Sequence, residues 1–159
     1  MRLSFAAVAV ACGVFAVQAF AQTSTQDFVT KVAISDMFEI QSSKLAVQKG
    51  NENVRAFARQ MITDHTKTSS ELKGMLGKAK AKLPSGLDAE HQKKLDQLQK
   101  LAGDQFSQTY AGMQVQAHEE AVKLFESYAS GGDDAQLKAW AAKTLPALKE
   151  HLQHAKALK

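Results

Sequence analysis

Residues 61–72 read MITDHTKTSSEL, and steps of three and four through Ala58, Met61, Ile62, His65, Ser69, Leu72 and Leu76 stay on one side of an α-helix. The stretch is therefore helical, but it carries an imidazole, His65, with the carboxylate of Asp64 beside it, on the stripe that should be apolar. A polar group in such a place needs a partner. The fold follows from the periodicity of this segment, and the question of function follows from His65.

Extended in both directions, the same periodicity predicts a helix from about 52 to 82, with Val54, Phe57, Ala58, Met61, Ile62, His65, Leu72, Met75 and Leu76 facing inward. Before it, Asp27 is a plausible N-cap for FVTKVAISDMFEIQSSKLAVQK, whose apolar residues wrap most of a helix surface. That helix should be largely buried, with a narrow polar remainder of Ser35, Asp36, Glu39, Ser42 and Ser43. Gly50-Asn51 supplies a C-cap and the next N-cap. After it, Leu83-Pro84-Ser85-Gly86 stops the second helix, and a short helix is expected over about 88–101.

Gly103-Asp104 reads as a break and a fresh N-cap, opening a long helix over roughly 105–129. Its stripe is Phe106, Tyr110, Met113, Ala117, Ala121, Leu124, Phe125 and Tyr128, with His118 beside it. The turn 130–134 leads into a last helix through Leu137, Trp140, Leu148, His151 and Leu158, which Pro146 should kink or split. Four long amphipathic helices with short turns, plus one small helix in the central connection, predict an all-α protein, an antiparallel four-helix bundle. There is no strand signal and no fixed-period repeat.

The leader stands apart. Met1-Arg2, the apolar run 3–17 and Gln18-Ala19-Phe20-Ala21 form a charged start, a hydrophobic middle and a small-x-small cleavage site. This predicts a secretory signal, residues 1–21, cut before Gln22, and one bundle domain over 22–159 in the periplasm or envelope, with no membrane span left after cleavage; the alternative is an uncut leader that tethers the bundle to the membrane. Removal of those 21 residues from 159 leaves 138, and takes away Arg2 and the only cysteine, so the mature charge is +3 from 19 basic and 16 acidic residues. No disulfide is then available. Lysines and acids are interspersed, which argues against a nucleic-acid face, and the run Lys78-Ala79-Lys80-Ala81-Lys82 reads as a solvated helix end. Any macromolecular partner would be another envelope protein, of a kind the sequence does not specify.

The inward polar residues carry whatever chemistry there is. Glu39 comes from the first helix, Asp64 and His65 from the second, His118 from the third long helix and His151 from the last. Bundles build metal sites from inward side chains of facing helices in this way. Three imidazoles and a carboxylate suit Zn(II), Cu(II) or Fe(II), and Met37, Met61 and Met113 offer soft ligands for Cu(I). Metal binding is the alternative: the first reading makes Asp64, His65, Tyr110, His118 and His151 a structural polar core, with His65 bonded to a carboxylate or to Tyr110, in a bundle with a structural, stress-related or interaction role. Ile62, Val115 and Leu148 stand three residues before the three histidines, so the Glu-x-x-His pattern of di-iron ferroxidases is absent. The mature chain has no cysteine nucleophile, no glycine-framed serine and no phosphate loop, so a non-enzymatic role is expected.

The segments Glu39-Ile-Gln-Ser-Ser-Lys-Leu-Ala, Phe57-Ala-Arg-Gln-Met-Ile-Thr-Asp64-His65, Phe106 with Tyr110, Met113 and His118, and Leu145-Pro146-Ala-Leu-Lys-Glu-His151-Leu resemble the exported proteins grouped as domain-of-unknown-function family 4142. The resemblance covers nearly all of the mature chain. It implies a ferritin-like bundle and an envelope location, and it implies no activity or substrate. Ser107 stands where the family pattern leads one to expect Asp, which weakens the idea of a carboxylate ligand from that helix.

Overall fold

The computed structural model describes residues 23–77 and 81–158. The expected signal peptide, and Lys78 to Lys80 of the basic run, lie outside these residues. Among the described residues there are five helices and no strand: α1 Thr25–Lys49, α2 Glu52–Met75, α3 Ala89–Lys100, α4 Gly103–Gly131 and α5 Ala135–Ala157.

Local chemistry explains most of the boundaries. Ser24, not Asp27, caps α1, its Oγ accepting from the Asp27 N–H at 3.1 Å, which leaves Asp27 as a first-turn acid facing the helix dipole. The Asn51 side chain caps α2 by accepting from the Val54 N–H at 3.0 Å. Between them the turn is so tight that a Cβ on Gly50 would lie 2.4 Å from Val54 Cγ1 and 2.8 Å from the Ala46 carbonyl oxygen. Helix α2 ends at Met75, short of the expected 82, where Gly74 and Gly77 raise the entropic cost of continuing.

Helix α4 begins at Gly103 itself, whose φ of 56° lies in the left-handed region, and Asp104 is a first-turn acid where an N-cap was expected. Pro146 lies inside a continuous α5, which is not split. Both Pro146 and Ala142, whose carbonyl loses its helical partner, are exposed, so water can satisfy that oxygen.

Side-chain pairs show the relative directions of the helices. Thr25 Oγ1 meets Tyr128 Oη at 2.6 Å and Ser43 Oγ meets Tyr110 Oη at 2.8 Å, so α1 and α4 run antiparallel. Trp140 Nε1 donates to Glu71 Oε2 and His151 Nε2 pairs with Asp64 Oδ2, which makes α2 and α5 antiparallel too. Lys149 with Glu126 and Lys156 with Glu119 fix the same relation between α4 and α5. The short helix α3 packs on α1 and α4.

The apolar interior is divided. One cluster holds Phe28, Val32, Leu72, Phe125, Tyr128, Trp140 and Leu148, and the other holds Ala46, Phe57, Met61, Leu98, Phe106 and Tyr110. Each fully buried large side chain in them contributes about 1.5–3 kcal/mol. On every one of the helices α1, α2, α4 and α5, a polar residue falls between the two clusters: Asp36 and Glu39, His65, Gln114 and His118, and His151. The strip that looked like the polar remainder of α1 therefore turns inward, with Asp36, Glu39, Ser42 and Ser43 all buried.

Candidate metal centre

Helices α2, α4 and α5 deliver His65, His118 and His151 to one point in this polar layer. The rings are 4%, 1% and 5% exposed, and their centroids are separated by 5.7, 5.8 and 5.5 Å. One nitrogen of each ring is held by an acceptor. His65 Nδ1 lies 2.8 Å from Asp36 Oδ1, His118 Nδ1 lies 2.9 Å from its own helix's Gln114 carbonyl oxygen, and His151 Nε2 lies 2.9 Å from Asp64 Oδ2. Carboxylate and carbonyl oxygens only accept, so these nitrogens carry protons, and in the neutral ring that binds a metal each opposite nitrogen presents a lone pair.

Those opposite nitrogens, His65 Nε2, His118 Nε2 and His151 Nδ1, are buried and have no hydrogen-bond partner. The three residues each offer a ligand nitrogen within 4.8 Å of the others. A tetrahedral ion bound at about 2.0–2.1 Å would draw the nitrogens to about 3.4 Å apart. The acceptors behind the rings match the outer contacts that orient metal-binding imidazoles.

Charge balance in the layer favours neutral rings on α4 and α5. His118 is pushed down to about 3 by burial first and by the facing His65 second, with the Gln114 carbonyl opposing and His151 adding to the fall. His151 is also lowered, by burial first and by His65 second, despite Asp64. His65 is raised, because the Asp36 hydrogen bond and the charges of Glu39, Asp36 and Asp64 together outweigh burial. Asp36 is itself tied down, accepting from Thr68 Oγ1 at 2.9 Å and Ser69 Oγ at 3.1 Å as well as from His65.

One helical turn from the histidines, Glu39 and Gln114 occupy the next layer, and beyond them lies the Ser43–Tyr110 bond. Burial raises the Glu39 carboxyl above its ordinary range, an effect that His65 and the Gln114 amide partly offset. Although Gln114 is near enough to act on the carboxyl, none of the polar atoms of either side chain makes a hydrogen bond of normal geometry. Burial likewise holds the Tyr110 hydroxyl well above its usual range.

The five residues expected as ligands thus take different places. His65, His118 and His151 converge. Asp64 stands behind His151 with its side chain 38% exposed, and Glu39 lies in the adjoining layer, outside the group of converging ligand atoms. Tyr110 bonds Ser43 rather than His65. Met61 is packed in the core, Met113 lines a groove and Met37 is half-buried. Sequence reasoning missed Asp36 as the partner of His65, and Gln114. Their signals were present: Asp36 is three residues before Glu39 on the same strip, and Gln114 is four before His118.

Ser107, where an acid was expected, is also buried. Its Oγ donates to the Gly103 carbonyl and accepts from the Asn51 N–H, tying α4 to the α1–α2 turn. A groove of about 570 Å³ between α1, α3 and α4 runs from the surface to Asp36 and His65.

Comparison with known proteins finds no match among curated proteins and none among solved structures. A family model does match, that of the domain of unknown function DUF4142, over residues 12–158. The match takes in every helix and all the residues of the polar layer, and the chain belongs to the DUF4142 family.

Proposed function

We propose that the protein is an exported helical bundle that binds one divalent first-row transition ion through His65 Nε2, His118 Nε2 and His151 Nδ1. The observation that carries this reading is the convergence of three buried, unpartnered imidazole nitrogens whose opposite nitrogens are each held by an acceptor. Three nitrogen donors suit Zn(II), Cu(II) or Fe(II). The antiparallel pairing of α1, α2, α4 and α5 supports a four-helix, ferritin-like arrangement, and the leader at 1–21 supports delivery to the periplasm or envelope. The role proposed is ion binding.

A purely structural polar core is favoured by one observation, the closed network of Asp36 with His65, Thr68 and Ser69. That reading leaves seven buried side-chain polar atoms unpartnered, each a cost of about 1–3 kcal/mol, whereas an ion engages three of them at once. Elemental analysis of natively exported protein tests the choice. One equivalent of a transition metal in the wild type and none in His65→Ala supports the metal centre, and metal-free wild type that fails to take up added Zn(II) or Cu(II) refutes it. Sequencing the exported protein from its N-terminus should begin at Gln22.

A further inference from the structure

The three histidines account for three of the seven unpartnered buried atoms. The other four are both oxygens of the Glu39 carboxyl and both polar atoms of the Gln114 amide, on side chains 1% and 0% exposed. Helices α1 and α4 run antiparallel, with Ser43 against Tyr110 in one layer and Asp36, His65 and His118 in another. Glu39 and Gln114 share the layer between these, directly beside the histidines. Apart from the contact between the two side chains, their polar atoms have no hydrogen-bond partner, whereas an apolar pair of similar size would leave none unsatisfied. A buried polar pair in that state, beside three imidazoles that would leave one position of a tetrahedral ion unfilled, suits a fourth ligand that is not protein.

Resting on the three-histidine reading, we propose that Glu39 and Gln114 line the open position of the ion and hold a small protic oxygen ligand there, water or an exogenous molecule that displaces it. Such a ligand donates its hydrogen to the Glu39 carboxylate and accepts from the Gln114 amide while its oxygen faces the metal. Water suits the pair, and so does the head of a larger molecule. The groove that reaches His65 from the surface is lined by apolar residues such as Val32, Phe38 and Met113 and by charged ones such as Lys31 and Lys94, and it gives such a molecule a route toward the layer. The ion then sits in an exchangeable site rather than a closed structural one.

Cobalt(II)-loaded protein titrated with acetohydroxamic acid, followed by the visible absorption of the metal, tests this. Glu39→Leu and Gln114→Leu should each keep one equivalent of Co(II) with affinity within about three-fold of wild type, well short of the loss from a ligand-orienting contact. Each should weaken hydroxamate binding by about ten-fold or more, the worth of one charge-assisted hydrogen bond. The metal-free Tm of both should equal or exceed that of wild type, and Glu39→Gln, which keeps the side-chain shape, should weaken the hydroxamate in the same direction. Unchanged hydroxamate affinity in the variants, or a loss of Co(II) affinity of about a hundred-fold in Glu39→Leu, which would make Glu39 a direct ligand, overturns this inference alone. Failure of the wild type to bind Co(II) overturns the three-histidine reading and this inference with it.

Discussion

Replacing Asp36 separates its structural work from its work on the metal. The carboxylate is 4% exposed and accepts from three donors: His65 Nδ1, Thr68 Oγ1 and Ser69 Oγ. Asp36→Ala strands the fully buried His65 N–H, for about 1–3 kcal/mol, and forfeits two part-buried hydroxyl bonds worth about 0.5–1.5 kcal/mol each. Thr68 softens this, because its hydroxyl also reaches the His65 carbonyl at 3.1 Å. The metal-free protein should therefore lose about 2–5 kcal/mol in urea denaturation. In Asp36→Asn the amide oxygen still accepts from His65, and the amide nitrogen donates to the two hydroxyls, which rotate to accept. Its cost should be near 1 kcal/mol, yet the weaker acceptor behind His65 should lower Zn(II) affinity by about 10–100-fold. Stability of Asp36→Ala within about 0.5 kcal/mol of wild type would refute the network as a buried support. An Asn variant as unstable as the Ala variant would refute the assignment of His65 Nδ1 as donor.

Two further predictions concern stability. The folded metal-free protein holds His118 at about 3, below its ordinary 6.5, so the unfolded chain binds the extra proton and stability falls as the pH drops through that window. Its contribution is complete above 6.5 and should shrink by about 2 kcal/mol by pH 5, so His118→Gln should show a flatter pH profile, read by denaturation at each pH. His65, which is raised, acts in the opposite sense and should damp the wild-type slope, and parallel profiles for the two proteins would contradict the account. Gly50→Ala should cost about 1–3 kcal/mol by forcing a Cβ onto Val54 and the Ala46 carbonyl, and unaltered thermal unfolding would contradict that.

Helix positions and the turn at Gly50-Asn51 were legible because capping residues and 3.6-residue periodicity are local signals, whereas the expected turn over 130–134 shrinks to 132–134 because α4 continues to Gly131. The inward placement of one histidine on each of three helices was legible for the same reason. Less visible was the inward direction of the polar strip on α1. Periodicity shows which residues share a face, but a helix apolar around most of its surface does not reveal which way the remainder points. Asp64 misled through adjacency: neighbours on a helix point about 100° apart, so Asp64 turns to His151 while His65 turns to Asp36. The end of α2 moved because two glycines weigh against a continuing lysine-rich pattern, and Pro146 failed to split α5 because the carbonyl it leaves unbonded belongs to the exposed Ala142.

The central claim concerns particular nitrogen atoms, so nitrogen-15 NMR of the histidine rings during titration of metal-free protein with Zn(II) tests it most directly. The account predicts saturation at one equivalent, with metal-bound shifts at His65 Nε2, His118 Nε2 and His151 Nδ1, while the opposite nitrogens stay protonated and His91 and the exposed His154 are unmoved. Saturation without a change at any one of the three, or coordination through His91 or His154 instead, would contradict it.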